Sequence, residues 1–374
     1  MRIAVNTRLL LKNKLEGIGW FTLEHFVRIC RNHPEHEFFF LFDRPYDPGF
    51  LFANNITPIQ MGPPARHPLL FYIWFNLRLP ARLKKIKADL FISPDGYLPL
   101  RGDTPSLAVI HDINFHHFPE DFQWDIRWYY NFFFPRFARK AKKIVTVSAY
   151  SKQDIMDVFN IPAEKIEVVP NAASEVYEPA TEETNISTRN YLSKGKPYFL
   201  FVGALNPRKN VTRLLESFEI FKEKTNSPTQ LVIVGTKMFG TKRMEATYKR
   251  MRYKSEVHFT GRMEPGQLKN VYSAARALVF VPYFEGFGIP LVEAMRCELP
   301  IIAGNTSSLP EVAGNAALYV SPYECSAIAE AMIQLDSQPE VRKKLIEKGK
   351  KQALHYSWDR SSALFWDIIQ KLLR

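Results

Sequence analysis

Eleven short apolar runs, rich in β-branched and aromatic residues, punctuate this chain and are separated by stretches of helical character. Arg2-Ile-Ala-Val, Glu37-Phe-Phe-Phe-Leu-Phe, Asp89-Leu-Phe-Ile, Leu107-Ala-Val-Ile, Ile144-Val-Thr-Val and Ile166-Glu-Val-Val lie in the first half. Tyr198-Phe-Leu-Phe-Val, Leu231-Val-Ile-Val, Val257-His-Phe-Thr, Ala277-Leu-Val-Phe-Val and Pro300-Ile-Ile-Ala lie in the second. Continuous rather than alternating runs mark strands buried on both faces, the environment of a parallel sheet. Helices between them give right-handed βαβ units. A chain of 374 residues is long for one core and suits two. The expected architecture is therefore α/β: two Rossmann-like parallel-sheet domains of similar size facing a cleft. Residues 1–175 form the first domain, polar and aperiodic residues 176–196 a linker, and 197–356 the second. Residues 357–374 read as a closing helix that returns to the first domain.

Open α/β sheets bind ligands at the carboxyl ends of their strands, so the residues just past each run carry the functional argument. After Ala277-Leu-Val-Phe-Val comes Glu285-Gly-Phe-Gly-Ile-Pro-Leu-Val-Glu293, two carboxylates eight positions apart around a Gly-x-Gly turn. Gly286 and Gly288 allow close backbone approach, Pro290 suits a first helical turn, and carboxylates accept hydrogen bonds from sugar hydroxyls. Acid in a first turn is also favoured by the helix dipole whatever the function, so Glu293 alone carries either reading. Arg208 and Lys209, after Phe201-Val-Gly, stand at a helix start, where the dipole disfavours cations. An anion meeting both would remove the conflict. Glu16-Gly-Ile-Gly places Gly17 and Gly19 before a helix, either as a phosphate cradle or as a plain turn. His111 and Asp112 end another strand, as site residues or as satisfied structural groups. Thr306 to Glu311 reads as a further polar helix start near the same edge.

Together these segments resemble the retaining glycosyltransferases of family 4, with their GT-B architecture, over nearly the whole chain and most specifically from Phe201 to Val320. The resemblance implies transfer of a hexose from a nucleoside-diphosphate sugar to a hydroxyl. It implies that Arg208 and Lys209 bind the donor pyrophosphate, that Glu293 takes the ribose hydroxyls, and that Glu285 contacts the donor sugar near the amides of Phe287 and Gly288. Gly17 and Gly19 would close on phosphate, His111 would line the reaction centre, and Gly235 and Arg262, matched by position, would lie near the base. His111-Asp-Ile-Asn-Phe-His-His-Phe-Pro and Asn305-Thr-Ser-Ser-Leu-Pro-Glu look most like mannosyltransferases that use GDP-mannose. No metal is expected: no Asp-x-Asp motif is present, and two cations can do a metal's work. A GT-B nucleotide-sugar epimerase or a non-catalytic nucleotide-sugar-binding subunit would share the same nucleotide site. The absence of GxGxxG argues against a nicotinamide enzyme.

The net charge is +12. A basic surface suits an anionic partner, and with no nucleic-acid-binding motif the expected partners are a nucleotide sugar and a glycan or lipid-linked acceptor. Arg66 to Lys87 carries six Lys/Arg and no acid, and Phe132 to Lys143 mixes basic with aromatic residues. Such a mixture suits an anionic membrane surface, and suits equally a core helix with a basic outer face. Three cysteines without a CxxC pair, and a start without a signal-peptide pattern, lead us to expect a cytoplasmic protein able to lie on the inner face of the cell membrane, in cell-surface polysaccharide synthesis.

Overall fold

The computed structural model describes residues 1–238 and 240–373. Its contacts divide the chain into two units, Met1–Asn171 together with the residues from Ser357 onward, and Ala172–Tyr356.

In the first unit, seven strands form one parallel sheet: β1 (Arg2–Asn6), β2 (Glu37–Phe42), β3 (Ile56–Gln60), β4 (Leu90–Ser93), β5 (Ser106–Val109), β6 (Lys143–Thr146) and β7 (Ile166–Val168). Their order is β3-β2-β1-β4-β5-β6-β7, with Ala4 of β1 registered against Phe39 of β2 and Phe91 of β4. The chain winds outward from β1 in one direction and then from β4 in the other. The order thus reverses between β1 and β4, the place where such sheets open a crevice. Four helices matter here: α1 (Gly17–Asn32), α2 (Pro68–Ile73), α3 (Leu79–Lys85) and α4 (Trp124–Lys140). Trp74, Phe75, Tyr97, Tyr129 and Phe137 fill the space between the sheet and these last three helices. The buried Trp74 indole donates to the Met61 carbonyl at 2.8 Å, which satisfies its one polar atom.

The second unit repeats the plan with β8 (Tyr198–Val202), β9 (Gln230–Val234), β10 (Val257–Gly261), β11 (Ala277–Phe280), β12 (Ile301–Gly304) and β13 (Ala317–Val320). All pairs are parallel, in the order β10-β9-β8-β11-β12-β13, and the reversal falls between β8 and β11. Its relevant helices are α5 (Glu182–Ser193), α6 (Val211–Thr225), α7 (Pro265–Ala274) and α8 (Ile289–Arg296).

Two departures from the sequence reading have clear causes. Strand β3 gives no continuous apolar run because it lies at a sheet edge and is only partly buried, and β13, the four-residue run Ala317-Leu-Tyr-Val, is passed over by the sequence reading. Residues 176–196, expected as a linker, contain the twelve-residue helix α5. Thr181 caps its first turn, Lys194 ends it in the left-handed conformation, and it packs on α7. Only Leu192 and Ser193 of α5 are buried, so the helix carries no apolar stripe for periodicity to detect.

The C-terminal helix, α9 (Trp358–Leu373), packs against α1 in the first unit. Phe365 is fully buried there, with ring centroids 5.7 Å from Phe21, 5.1 Å from His25 and 6.2 Å from Phe26. The Ser361 hydroxyl lies 2.9 Å from His25 Nε2 and 2.6 Å from the Pro170 carbonyl. Burial drives the His25 pKa down to about 3, which keeps the ring neutral. We expect F365A to destabilise the first unit by about 3–5 kcal/mol, the cost of emptying a buried aromatic site. The measurement is the denaturant midpoint of that unit; a shift under about 1 kcal/mol would show that α9 is not part of its core.

Candidate active site

The reversal between β8 and β11 brings two loops together. Past β8 the chain runs through Gly203 into a short helical turn, Pro207–Lys209, started by Asn206, whose side chain accepts from the Lys209 amide at 3.2 Å. Asn210 then takes the left-handed conformation, and α6 begins. Past β11 the chain runs through Tyr283 and Phe284 to Glu285. Arg208 and Lys209 come from the first loop and Glu285 from the second, and the three side chains meet.

Arg208 Nη1 lies 3.0 Å from Glu285 Oε1 and donates to the Phe284 carbonyl at 2.5 Å. Lys209 Nζ donates to the same Oε1 and sits 5.2 Å from the Phe280 ring centroid. Glu285 is only 8% exposed. Burial alone would push its carboxyl pKa up, but the charges of Arg208 and Lys209 overcome that and hold it below the usual carboxylate range. The anion that answers the cations at this helix start is therefore a side chain of the protein. Backbone bonds fix the carboxylate's loop as well: the Glu285 amide donates to Ser307 Oγ at 3.1 Å, and Ser308 Oγ donates to the Glu285 carbonyl at 2.9 Å. Both serines belong to the polar segment before the helix Leu309–Ala313.

Glycines shape the same edge. A Cβ on Gly235 would stand 1.9 Å from the Gly203 carbonyl oxygen, so only glycine lets the β9 loop pass the β8 loop. The Gly235 amide donates to the Gly261 carbonyl at 2.9 Å, which places the β9 loop beside Arg262. Arg262 Nε is 3.9 Å from Glu264 Oε1. Gly288, at φ 93°, caps the start of α8, where a Cβ would strike Leu309 at 2.8 Å. The Phe287 ring is buried edge-on against Tyr356, so only its backbone is available to a ligand.

Glu293 stands apart from the Arg208–Lys209–Glu285 cluster in its bonding. Tyr272 donates its hydroxyl to Glu293 Oε2 at 2.6 Å, and Tyr177 adds a second hydrogen bond. Burial raises the Glu293 pKa, and the two tyrosine bonds only partly oppose it. The two carboxylates of the motif are thus pushed in opposite directions.

In the first unit, Gly17 and Gly19 lie inside the first turn of α1 rather than in a loop before it. Gly17 is exposed with open space around it, whereas a Cβ on Gly19 would stand 3.0 Å from the Leu9 carbonyl and from Leu15, so Gly19 serves packing. His111 follows β5 and donates from Nε2 to the Pro94 carbonyl at 2.9 Å, with its ring edge-on to Phe21 at 4.9 Å. Burial lowers its pKa, opposed by the Pro94 bond and by Asp112 and Asp95, so Nδ1 is left as an acceptor. Sequence reading missed Arg8 and Asp95, each two residues past a strand end. They form a buried pair at 2.6 Å across the β1–β4 reversal, with the Arg8 guanidinium 4.6 Å from the Tyr97 ring centroid. Only the strand order, which lies outside local sequence, makes β1 and β4 neighbours. Among the described residues, no group of three or more His, Cys, Asp or Glu side chains is placed to hold a metal ion.

Two family models match this chain: Glycosyltransferase Family 4 over residues 23–174 and Glycosyl transferases group 1 over residues 182–352. The chain is a family 4 glycosyltransferase. It is 29% identical over 369 residues to O-antigen chain mannosyltransferase B of Escherichia coli, covering 93% of this chain and 94% of that protein. It is 28% identical over 277 residues to O-antigen chain mannosyltransferase RfbU of Salmonella typhimurium, covering 73% and 72%. Among solved structures, sucrose-phosphate synthase from Thermosynechococcus elongatus matches with a TM-score of 0.79 at 17% identity, over 99% of this chain and 98% of that one. The fold is GT-B. Relatives that are transferases favour a hexosyltransferase over an epimerase or a non-catalytic subunit.

The opposed carboxylates of this glycosyltransferase make a paired prediction. The Glu285 pairing contributes fully above the ordinary glutamate pKa of about 4.3 and fades as pH falls through its lowered folded value. E285Q, which removes the buried charge that Arg208 and Lys209 share, is expected to cost about 3–5 kcal/mol at neutral pH and progressively less in acid. For Glu293 the sign reverses: its proton is held more tightly in the folded state, and that stability is lost as pH rises through the raised value. E293Q is therefore expected to gain on the wild type as pH rises. Denaturant midpoints across pH read both, and parallel profiles for the two variants would refute the contrast.

Proposed function

We propose that this glycosyltransferase moves mannose from GDP-mannose, with retention and without a metal, to a hydroxyl of a lipid-linked glycan at the inner face of the cell membrane. The observation that carries the reading is the meeting of Arg208 and Lys209 with Glu285 at the β8–β11 reversal. The mannose preference draws on the names of the two O-antigen mannosyltransferase relatives, as does a place in cell-surface polysaccharide synthesis.

The difficult part of glycosyl transfer is the charge that builds on the departing diphosphate. Arg208 can hold a phosphate through two nitrogens, and Lys209 adds a compact charge. Both are positioned before the donor arrives, so little reorganisation is needed when charge develops. A diphosphate entering here competes with the Glu285 carboxylate for the two cations. Glu285, released from them, then faces the donor sugar beside the Phe287 and Gly288 amides at the start of α8. Glu293 takes the ribose hydroxyls, and the Gly235 and Arg262 loops lie toward the base. The first unit takes the acceptor, with His111 at its strand ends and Gly17 available to phosphate. With no side chain assigned as a nucleophile, the reading follows same-face attack in which the leaving phosphate accepts the acceptor's proton.

R208A is expected to lower kcat/KM about a hundredfold, roughly 3 kcal/mol, as loss of one preorganised charge does elsewhere; unchanged turnover would overturn the assignment. Thermal unfolding with GDP, UDP, dTDP and ADP, each with and without EDTA, is expected to show the largest stabilisation with GDP, indifferent to EDTA. A shift that requires a divalent ion would refute the metal-free reading, and a preference for UDP would replace the donor.

A further inference from the structure

The outer face of α4 departs from what a surface helix ordinarily shows. Its inner face, Tyr129, Phe133, Phe134 and Phe137, is buried in the core. Yet Trp124 is 82% exposed, Trp128 57% and Phe132 39%. These three stand four residues apart, so they form one stripe along the helix. Trp128 and Phe132 stack at 5.2 Å with their planes 11° apart, and the Arg136 guanidinium lies 3.5 Å from the Phe132 ring centroid. The charged residues exposed on the same helix are Arg127, Arg136, Arg139 and Lys140, all positive. The helix's one acid, Asp125, is partly buried and lies 3.6 Å from His67 Nε2 just before α2. Large apolar side chains in continuous exposure mark an interaction site rather than a solvated face.

The neighbourhood has the same character. Rings pin α2 to α4, Phe71 to Tyr129 at 5.5 Å and Tyr72 to Phe133 at 6.2 Å. On α2, Leu69 is 62% exposed, and the turn leading to α3 leaves Leu77 47% exposed. Arg66, Arg78, Lys84, Lys85 and Lys87 are exposed along this segment, in which there is no acid between Arg66 and Lys87. The topology also orients the stripe. Helix α4 carries the chain from the carboxyl end of β5 to the start of β6, so its first turn, with Trp124, lies at the sheet edge that carries His111.

We propose that this face of α2, α3 and α4 docks on an anionic lipid bilayer, with Trp124, Trp128 and Leu69 entering the headgroup boundary and the surrounding arginines and lysines meeting lipid phosphates. Exposed aromatics set among cations of a single sign are complementary to such a surface: rings lie at the interface, and each cation near it strengthens partition about fivefold. A soluble partner protein with a polar rim would call for charges of both signs, and none of the charges exposed on α4 is negative. The docking deepens the lipid-linked acceptor reading and rests on it for its purpose. It brings the acceptor-binding strand ends to the membrane at which such an acceptor is held.

The test is flotation of the full chain with vesicles of phosphatidylglycerol in phosphatidylcholine, against phosphatidylcholine alone. Wild type is expected to float with the anionic vesicles only. The W124S/W128S variant is expected to lose binding by about tenfold or more, with an unchanged melting temperature because both side chains are exposed. R127E/R136E is expected to lose the response to phosphatidylglycerol. Transfer to a soluble acceptor is expected to be the same in wild type, W124S/W128S and R127E/R136E, and R208A serves as the inactive control that still floats. Active wild-type protein that fails to float, or W124S/W128S that floats as well as wild type, overturns the proposal. A dimer in light scattering that W124S/W128S dissociates, with flotation unaffected, would assign the stripe to a second copy of the chain instead. Flotation without any transferase activity would leave this surface standing and sink the catalytic reading.

Discussion

Everything at the β8–β11 edge depends on one buried carboxylate shared by two cations. An isolated charge at the Glu285 position would cost several kcal/mol to bury. The loops after β8 and β11 are therefore obliged to stay together. Each loop fixes the other through side-chain charge, and the hydrogen bonds of Ser307 and Ser308 add the loop after β12 to the same clamp. Gly235 completes the arrangement by letting the β9 loop pass within a glycine's width of Gly203. Four successive strand ends are thus locked into one platform before any ligand binds, which is the condition for electrostatic stabilisation without reorganisation.

The first sheet solves the same topological problem with a different outcome. Its reversal is also bridged by an ion pair, Arg8 with Asp95. Here the carboxylate is held in addition by Asn6 at 2.8 Å and Ser93 at 2.9 Å, and the guanidinium donates to the Ala65 carbonyl at 3.1 Å among the rings of Phe71, Phe75 and Tyr97. The Asp95 carboxylate thus accepts from three side chains within the first unit. The Arg8–Asp95 bridge joins the ends of β1 and β4 within the first sheet, whereas in the Arg208–Lys209–Glu285 cluster one carboxylate oxygen is shared by two cations from the neighbouring loop.

How much of this was legible depends on whether a feature is local. The central strands declare themselves because burial on both faces writes an unbroken apolar run. Edge strand β3 does not, since Pro58 and Gln60 can stand where the strand is only partly buried. Helix α5 is invisible for a related reason: nearly all its side chains face solvent, so its caps at Thr181 and Lys194, rather than a stripe, define it. The Arg208–Lys209 conflict with the helix dipole is local and pointed to an anion, but that the anion includes Glu285, 76 positions on, follows only from strand order. Arg8 and Asp95 were missed for the same reason. The aromatic cluster at Phe132 to Lys143 left core and surface readings open, and α4 uses both. Phe133, Phe134 and Phe137 go inward, and the outward stripe begins upstream at Trp124.

The two glutamates of the opening motif show what eight residues of separation achieve. Glu285 stays in a loop, where cations from a neighbouring strand can reach it. Glu293 is carried one turn into α8, against Tyr272 and Tyr177, with no cation among the groups that shift it. The first is therefore held as an anion and the second is biased toward its neutral form. A neutral carboxyl can donate as well as accept, which suits the paired hydroxyls of a ribose. A fixed anion beside a sugar can instead favour positive charge as it develops at the anomeric carbon. One short segment thus supplies two different electrostatic environments, and the division follows from which side of the α8 start each carboxylate occupies.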